Sequence, residues 1–210
     1  MELSRTIQEY LNELSSGSPT PGGGNVAALC GALASGLGTM VCNLTIGKKK
    51  YAEVEAEMTQ LKDKLTKYQS DFVELAKKDN AAFDKVMEAF KLPKETENDK
   101  VLRNAKIEEA TIEAAEVPSE VMRLCYELLP LLKTISEKGN KNSLSDAGVA
   151  ISLVRSSAQG AYLNVLINCG SLSNQTIAGE IRKRADIIFE ETDRTTSGLL
   201  EIITKSLMPL

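Results

Sequence analysis

Residues 25–46, NVAALCGALASGLGTMVCNLTI, decide the fold. No charged side chain occurs between Glu13 and Lys48, so a helix over this stretch is apolar on every face. Such a helix is buried on every face, either inside a protein or inside a bilayer. Small residues such as Gly31 and Gly36 recur along it and large apolar ones are few, which favours a protein interior. We therefore predict a buried central helix, and the alternative is a membrane span that ends at the lysines after Gly47.

The flanking segments have helical periodicity as well. An amphipathic helix is predicted around Tyr10, ahead of a Ser-, Pro- and Gly-rich break at 16–24. Residues 51–91 contain neither Gly nor Pro and repeat apolar residues every three or four positions, which predicts one helix roughly 60 Å long.

Further helices are predicted over 107–135, with kinks at Pro118 and Pro130, over 147–169 after a capping box at 143–146, and over 177–202. No alternating strand pattern is present in the sequence. We predict an all-α fold, a bundle of long antiparallel helices with 1–210 as one domain. The length of the helices and their heptad pattern favour a homodimer.

The composition excludes several kinds of chemistry. There is no His among the 210 residues, so a Ser-His-Asp triad and the usual catalytic zinc site are excluded, and we expect no metal. The excess of Asp and Glu (29) over Lys and Arg (25) argues against a nucleic-acid partner. Four cysteines without a CxxC pair, and a charged amphipathic start unlike a signal peptide, lead us to expect reduced thiols and a cytoplasmic location.

Asp79 is the most informative single residue. It occupies a seam position of the long helix, in a repeat whose other members include Leu65 and Phe72. A carboxyl group there is partly desolvated, which raises its pKa toward neutrality and lets it both take and give a proton. The sequence therefore predicts an acid–base role for Asp79. The alternative is a buried or splayed Asp that pairs with a cation or fixes helix register.

The segment SPTPGGG at 18–24 is the second unusual feature. Thr20 suits a helix N-cap and Pro21 the first helical position, so three glycines would fall in the first turn. Their backbone N–H groups would form a surface for an anion or a carbonyl oxygen. The alternative is a tight turn between helices.

Other polar residues have both a functional and a structural interpretation. The lysines at 48–50 can neutralise an anionic ligand or merely flank a helix C-terminus. Asn140, Asn142 and Asp146 crowd one loop, where capping is the structural alternative. Asn164 and Asn168 interrupt an apolar helix, and buried amides either read a heterocycle edge or bond to a neighbouring helix.

These segments together resemble the formiminotransferase-cyclodeaminase C-terminal domain family, which also contains stand-alone bacterial methenyltetrahydrofolate cyclohydrolases. The resemblance runs in order through SPTPGGGNVAA (18–28), MVCNLTIGKKKY (40–51), DNAAFDKVMEAFKLPK (79–94), GNKNSLSD (139–146) and GAYLNVLIN (160–168). Asn25 departs from the pattern, because the family more often has Ser there. The second block looks most like the cyclohydrolase form.

The resemblance implies a helical dimer with a tetrahydrofolate derivative bound between helices near the subunit interface, and no cofactor beyond that substrate. It implies a cyclohydrolase that opens the methenyl bridge, with a formimidoyltetrahydrofolate cyclodeaminase as the alternative. A non-catalytic folate-binding or scaffold protein is the alternative from another class. Asp79 matches the aspartate regarded as catalytic in the family.

We extend this by hypothesis to further residues. Asp146 is the second catalytic candidate, and the lysines would meet the glutamate carboxylates of folate. Asp146 or Asn164 would form hydrogen bonds with the polar edge of the pterin ring. The candidate substrate-binding residues are Thr20, Pro21, Gly22, Gly23, Gly24, Asn25, Lys48, Lys49, Phe83, Asn140, Asn142 and Asn164.

Overall fold

The computed structural model describes residues 6–208, which form six α-helices and two short 3-10 helices. The α-helices are α1 (Ile7–Leu14), α2 (Gly23–Asn43), α3 (Glu55–Phe90), α4 (Glu97–Lys138), α5 (Leu144–Ser171) and α6 (Gln175–Leu207). The 3-10 helices are Lys49–Val54 and Lys141–Ser143. No strand occurs in this described part of the chain, and the predicted all-α fold is confirmed.

Helix α2 is the centre of the bundle, because it packs against α3, α4 and α5. Its side chains Ala28, Ala34 and Cys42 are fully buried, so the predicted core helix is confirmed, but Leu33 is 53% exposed and the prediction of burial on every face is wrong. By length and composition α2 is also able to cross a bilayer, with a mean hydropathy of 1.5. Within the bundle, 56% of the most apolar 18-residue stretch of α2 is buried.

Glycines let α2 approach α3 closely. A Cβ atom on Gly31 would lie 2.5 Å from the ring of Phe72, which is fully buried. One on Gly38 would lie 3.2 Å from Leu65 and 2.9 Å from Leu132 of α4. Because these positions have no side chain, large apolar residues of α3 and α4 fill the space against the α2 backbone.

Helix α5 covers another side of α2 and runs antiparallel to it. The hydroxyl of Ser157 donates to the Ala27 carbonyl over 2.6 Å, and a Cβ on Gly160 would lie 3.2 Å from the Ala27 side chain. The thiol of Cys125 on α4 donates to the Ser157 hydroxyl over 3.1 Å. This buried chain of hydrogen bonds ties three helices together without leaving the hydroxyl unpaired.

Three local predictions were wrong. Gly22, rather than Thr20, is the N-cap of α2, and no side chain caps that helix. The long helix does not start at Tyr51, because a 3-10 helix with a non-helical Tyr51 precedes Glu55. The capping box at 143–146 does not form, since the Ser143 side chain makes no cap hydrogen bond.

The predicted helix over 107–135 is longer at its N-terminal end, because α4 begins at Glu97. Helix α4 continues without a break through Pro118 and Pro130, and Gly139 follows its last residue as predicted. Thr96 opens α4 with a capping box, in which its hydroxyl accepts from the Asp99 N–H and the Asp99 carboxylate accepts from the Thr96 N–H.

The contact between Gly31 and Phe72 generates a stability prediction. Gly31→Ala forces the buried ring of Phe72 to move, so we expect unfolding free energy to fall by about 1–3 kcal/mol. The measurement is urea unfolding followed by circular dichroism at fixed protein concentration. Gly179→Ala on α6 is the control, because a Cβ there meets nothing within 4 Å. It should raise stability by roughly 0.5–1 kcal/mol through helix propensity, and equal effects of the two changes would contradict the close approach.

Candidate active site at the N-terminus of the central helix

The N-terminal turn of α2 lies directly against Asp79 of α3. A Cβ on Gly24 would lie 2.6 Å from the Asp79 carboxyl carbon and 2.9 Å from Oδ2. Any side chain at position 24 would therefore displace the carboxylate. Glycine at position 24 lowers helix propensity, but it is needed because the Asp79 carboxylate packs against the α2 backbone there. The sequence alone did not show this contact.

The environment of Asp79 shifts its protonation. Its side chain is half-buried, and burial raises the pKa of the carboxyl group above the usual range for Asp. The backbone N–H of Asn25 opposes this and lowers the pKa, because it stabilises the ionised form. The seam position predicts a raised pKa for Asp79, and the structure gives a shift in the same direction.

The carboxylate also lies where the α2 backbone has unpaired donors. The first turn of a helix leaves N–H groups without intrahelical partners, and Gly22 supplies no capping side chain. The helix dipole adds positive potential at this end. Asp79 thus lies beside a helix N-terminus at which Gly23 is exposed, and such an end favours an anionic or carbonyl oxygen.

Asn164 of α5 approaches the same turn from another helix. Its Nδ2 atom lies 3.3 Å from the position of a Cβ on Gly23 and donates to the Gly160 carbonyl over 2.8 Å. The side chain is half-buried. Gly23 and Gly24 therefore contact a polar side chain from α5 and one from α3, respectively.

The remaining candidates at this end lie around the turn. Thr20 is half-buried, Pro21 is buried, and their peptide bond is cis. Phe83 is half-buried on α3, one helical turn beyond Asp79. An aromatic side chain beside a polar turn suits the flat ring of a heterocycle.

Asn25 differs from the other candidates, because its side chain is only 1% exposed. Its Oδ1 accepts from the Tyr10 hydroxyl over 2.8 Å. Its Nδ2 donates to the Ala76 carbonyl over 2.7 Å and to Oδ1 of Asn80 over 3.2 Å. The amide is therefore occupied by the protein itself, and a substrate would not meet it directly.

The other predicted residues gather at the opposite end of α2. Asn140 is buried, its Nδ2 donates to the Leu44 carbonyl over 3.0 Å, and its Oδ1 accepts from the Asn142 N–H over 3.2 Å. Lys48 and Lys49 are exposed nearby. Asp146 is half-buried in the first turn of α5, which follows this loop.

These two clusters are separated by the length of α2, which has 21 residues and is about 30 Å long. Within one chain the structure brings Gly22–Gly24, Asn164 and Asp79 together. It does not bring Asp146, Asn140, Asn142 or the lysines to them.

Sequence reasoning missed Tyr10 and Asn80 as parts of the site. Tyr10 was interpreted as an apolar position of α1, but a buried Tyr hydroxyl needs a partner, and that requirement was the available signal. For Asn168 the structural alternative holds, because its Nδ2 donates to the Ala114 carbonyl over 2.8 Å.

Comparison with known proteins places this geometry in a family. The model of the formiminotransferase-cyclodeaminase family matches residues 6–187. A methenyltetrahydrofolate cyclohydrolase of Methylorubrum extorquens is 40% identical over 203 residues, covering 97% of this chain and 98% of that protein. The formimidoyltransferase-cyclodeaminase of Sus scrofa is 29% identical over 95% of this chain, which corresponds to 37% of its own length.

A solved structure supports the same assignment. The crystal structure of a formiminotetrahydrofolate cyclodeaminase from Thermotoga maritima superposes with a TM-score of 0.81. It is 33% identical and covers 96% of this chain and 98% of its own. On the family match, the relatives and the shared helical fold, this chain belongs to the formiminotransferase-cyclodeaminase family.

Proposed function

We propose that this protein is a 5,10-methenyltetrahydrofolate cyclohydrolase, in which Asp79 is the acid–base group. The observation that carries the proposal is the half-buried Asp79 carboxyl group against the open N-terminal turn of α2. The similarity to the cyclohydrolase of Methylorubrum extorquens over nearly both whole chains favours this reaction within the family.

The geometry suits attack of water on the methenyl carbon. The Asp79 carboxylate takes a proton as the water oxygen bonds to that carbon. One folate nitrogen then leaves and takes the proton from Asp79, while the new hydroxyl loses its proton to solvent. The products are a formyl-tetrahydrofolate and one released proton.

Two features of the site stabilise charge during this step. An ionised Asp79 stabilises the cationic methenyl bridge. The first-turn N–H groups of α2 stabilise the oxygen atom of the attacking water, which becomes more negative in the tetrahedral intermediate. A carboxyl group with a raised pKa is a stronger base than an ordinary Asp, and its protonated form persists to higher pH, where it can act as an acid.

The cyclodeaminase reaction is the second candidate, and the Thermotoga maritima structure is the observation that favours it. In that reaction N10 attacks the formimino carbon on N5, an acid protonates the departing amine, and ammonia leaves as the bridge closes. The same carboxyl group of Asp79 serves as that acid. A folate-binding protein without turnover is the alternative from another class.

We further propose that two copies associate through the outward face of α2. Leu33 is 53% exposed, and Met40 and Leu44 continue an apolar stripe along that helix. In a two-fold pairing with antiparallel α2 helices, Lys48 and Lys49 of one protomer would lie near Asp79 of its partner. The lysines would then reach the glutamate carboxylates of a folate bound at that turn, and Asp146 would approach the pterin from the partner.

Further features of the proposal concern location and ligands. We propose one functional unit over 1–210 in the cytoplasm, without membrane or nucleic-acid contact and with no cofactor beyond the folate substrate. The net charge of −4 argues against nucleic acid, and the burial of α2 among three helices supports a role as a core helix.

Separate assays of two substrates test the reaction. Purified protein is given 5,10-methenyltetrahydrofolate or 5-formiminotetrahydrofolate. We expect loss of the methenyl absorbance with the first substrate. Ammonia release and a gain of that absorbance with the second would instead establish the cyclodeaminase. Tight folate binding without turnover of either would exclude both enzymes and favour the binding protein.

Asp79→Asn tests the acid–base role. It removes the proton carrier but keeps an acceptor for the α2 turn, so we expect kcat to fall by about 10²–10⁴-fold. The folded state raises the pKa of Asp79, so in the wild type the stability that this group contributes at low pH is lost as pH rises through that pKa. Asp79→Asn should therefore be no less stable than the wild type at neutral pH.

The exposed Asp84 on the same helix provides the control. Asp84→Asn should leave kcat unchanged. Activity of Asp79→Asn close to that of the wild type would remove Asp79 from its role, whatever its stability.

Leu33→Asp tests the proposed dimer. It places a charge in the apolar stripe of α2, so we expect sedimentation velocity to show a monomer with reduced activity and unchanged helicity. Val101→Asp on α4 is the control, because Val101 is 69% exposed and lies outside the stripe. A dimer that survives Leu33→Asp but dissociates with Val101→Asp would place the interface elsewhere.

A further inference from the structure

Tyr10 connects the short helix α1 to the site. It is the buried residue of α1, with 7% exposure, and its hydroxyl donates to Oδ1 of Asn25 over 2.8 Å. The neighbouring Ile7 and Leu11 are exposed, whereas Tyr10 packs into the bundle and joins α1 to α2 through this hydrogen bond.

Asn25, which accepts from Tyr10, also donates hydrogen bonds to α3. Its two amide protons go to the carbonyl of Ala76 and to the side chain of Asn80, which lie on either side of Asp79 in the sequence. Its backbone N–H acts on the Asp79 carboxyl group itself. One buried residue thus fixes the α2 turn to α3 at the point where Asp79 projects.

We propose that Tyr10 and Asn25 are positioning residues, which hold the N-terminal turn of α2 over the Asp79 carboxylate. The proposal rests on the acid–base role of Asp79 given above. Neither side chain contacts substrate in it, because Asn25 is buried and all its amide groups have protein partners. Asn80 belongs to the same network as an acceptor.

The network matters because two opposing effects act on Asp79. Burial disfavours the ionised form of Asp79, whereas the hydrogen bond from the Asn25 N–H favours it. Both effects depend on the position of the α2 turn. The titratable groups around Tyr10 are Asp79, Cys30 of α2 and Glu13 of α1, and they raise the pKa of its phenol together with burial. Tyr10 is therefore neutral near pH 7 and acts as a hydrogen-bond donor.

Tyr10→Phe tests the proposal by removing one hydroxyl. The readout is the ¹³C chemical shift of the Asp79 carboxyl group during a pH titration, assigned by its loss in Asp79→Asn. We expect the pKa of Asp79 to rise, because a looser α2 turn donates less well to the carboxylate. We also expect kcat to fall roughly five- to ten-fold with little change in KM, as for the loss of one hydrogen bond.

Tyr68→Phe is the matched control. Its hydroxyl donates to Glu127 over 3.2 Å between α3 and α4, so the change removes a tertiary hydrogen bond outside the site. The titration of Asp79 should be the same as in the wild type. If Tyr68→Phe moves it as much as Tyr10→Phe does, the effect is general loosening and the proposal is overturned.

Asn25 provides a second variant that keeps the test decisive. Asn25→Ala should raise the pKa of Asp79 as well, and Asn25→Ser, which retains a hydroxyl that can accept from Tyr10, should restore part of the wild-type value. An unchanged or lowered pKa in both Tyr10→Phe and Asn25→Ala overturns the proposal. The titration needs no turnover, so a wild type inactive on both substrates would refute the proposed function while this test still decides the positioning.

Discussion

The contact between the Gly24 backbone and the Asp79 carboxylate constrains the whole α2–α3 pair. Positions 24, 31 and 38 of α2 face positions 79, 72 and 65 of α3, so each pair follows the previous one by seven residues in both helices. A seven-residue spacing keeps contacts on one stripe of each helix. The site is therefore one more layer of the same helix packing, in which a carboxylate takes the place held by Phe72 and Leu65 in the other layers.

This arrangement accounts for the chemistry as well as for the fold. A carboxyl group inserted in an apolar stripe loses water, and the same position faces the end of a helix that offers N–H donors. The first effect raises the pKa of Asp79 and the second restrains the rise. The proposed acid–base role thus needs no element outside the bundle, only the exchange of one apolar residue for Asp at the last layer.

Much of this was open to prediction from sequence. The seam that contains Leu65 and Phe72 predicted the position of Asp79 and its raised pKa, because heptad spacing is a local property. The N-cap prediction was wrong, because Thr20 satisfies the local rules, whereas α2 begins at Gly23 after the N-cap Gly22, where Gly24 packs against Asp79. The Tyr10–Asn25 hydrogen bond and the separation of the lysines from Asp79 were not predictable, since both depend on how distant segments meet.

The glycine stripe of α2 has a consequence for reading related sequences. Gly31 and Gly38 face apolar side chains, so glycine at position 24 would fit equally well against a leucine at position 79. A descendant without the proposed chemistry of Asp79 would keep the triple glycine if an apolar residue replaced this acid, but the backbone N–H of Asn25 would lose its acceptor. The glycine motif is thus a signature of the architecture, and under the proposed role of Asp79 the residue opposite its third glycine is the one that would differ between an enzyme and an inert relative.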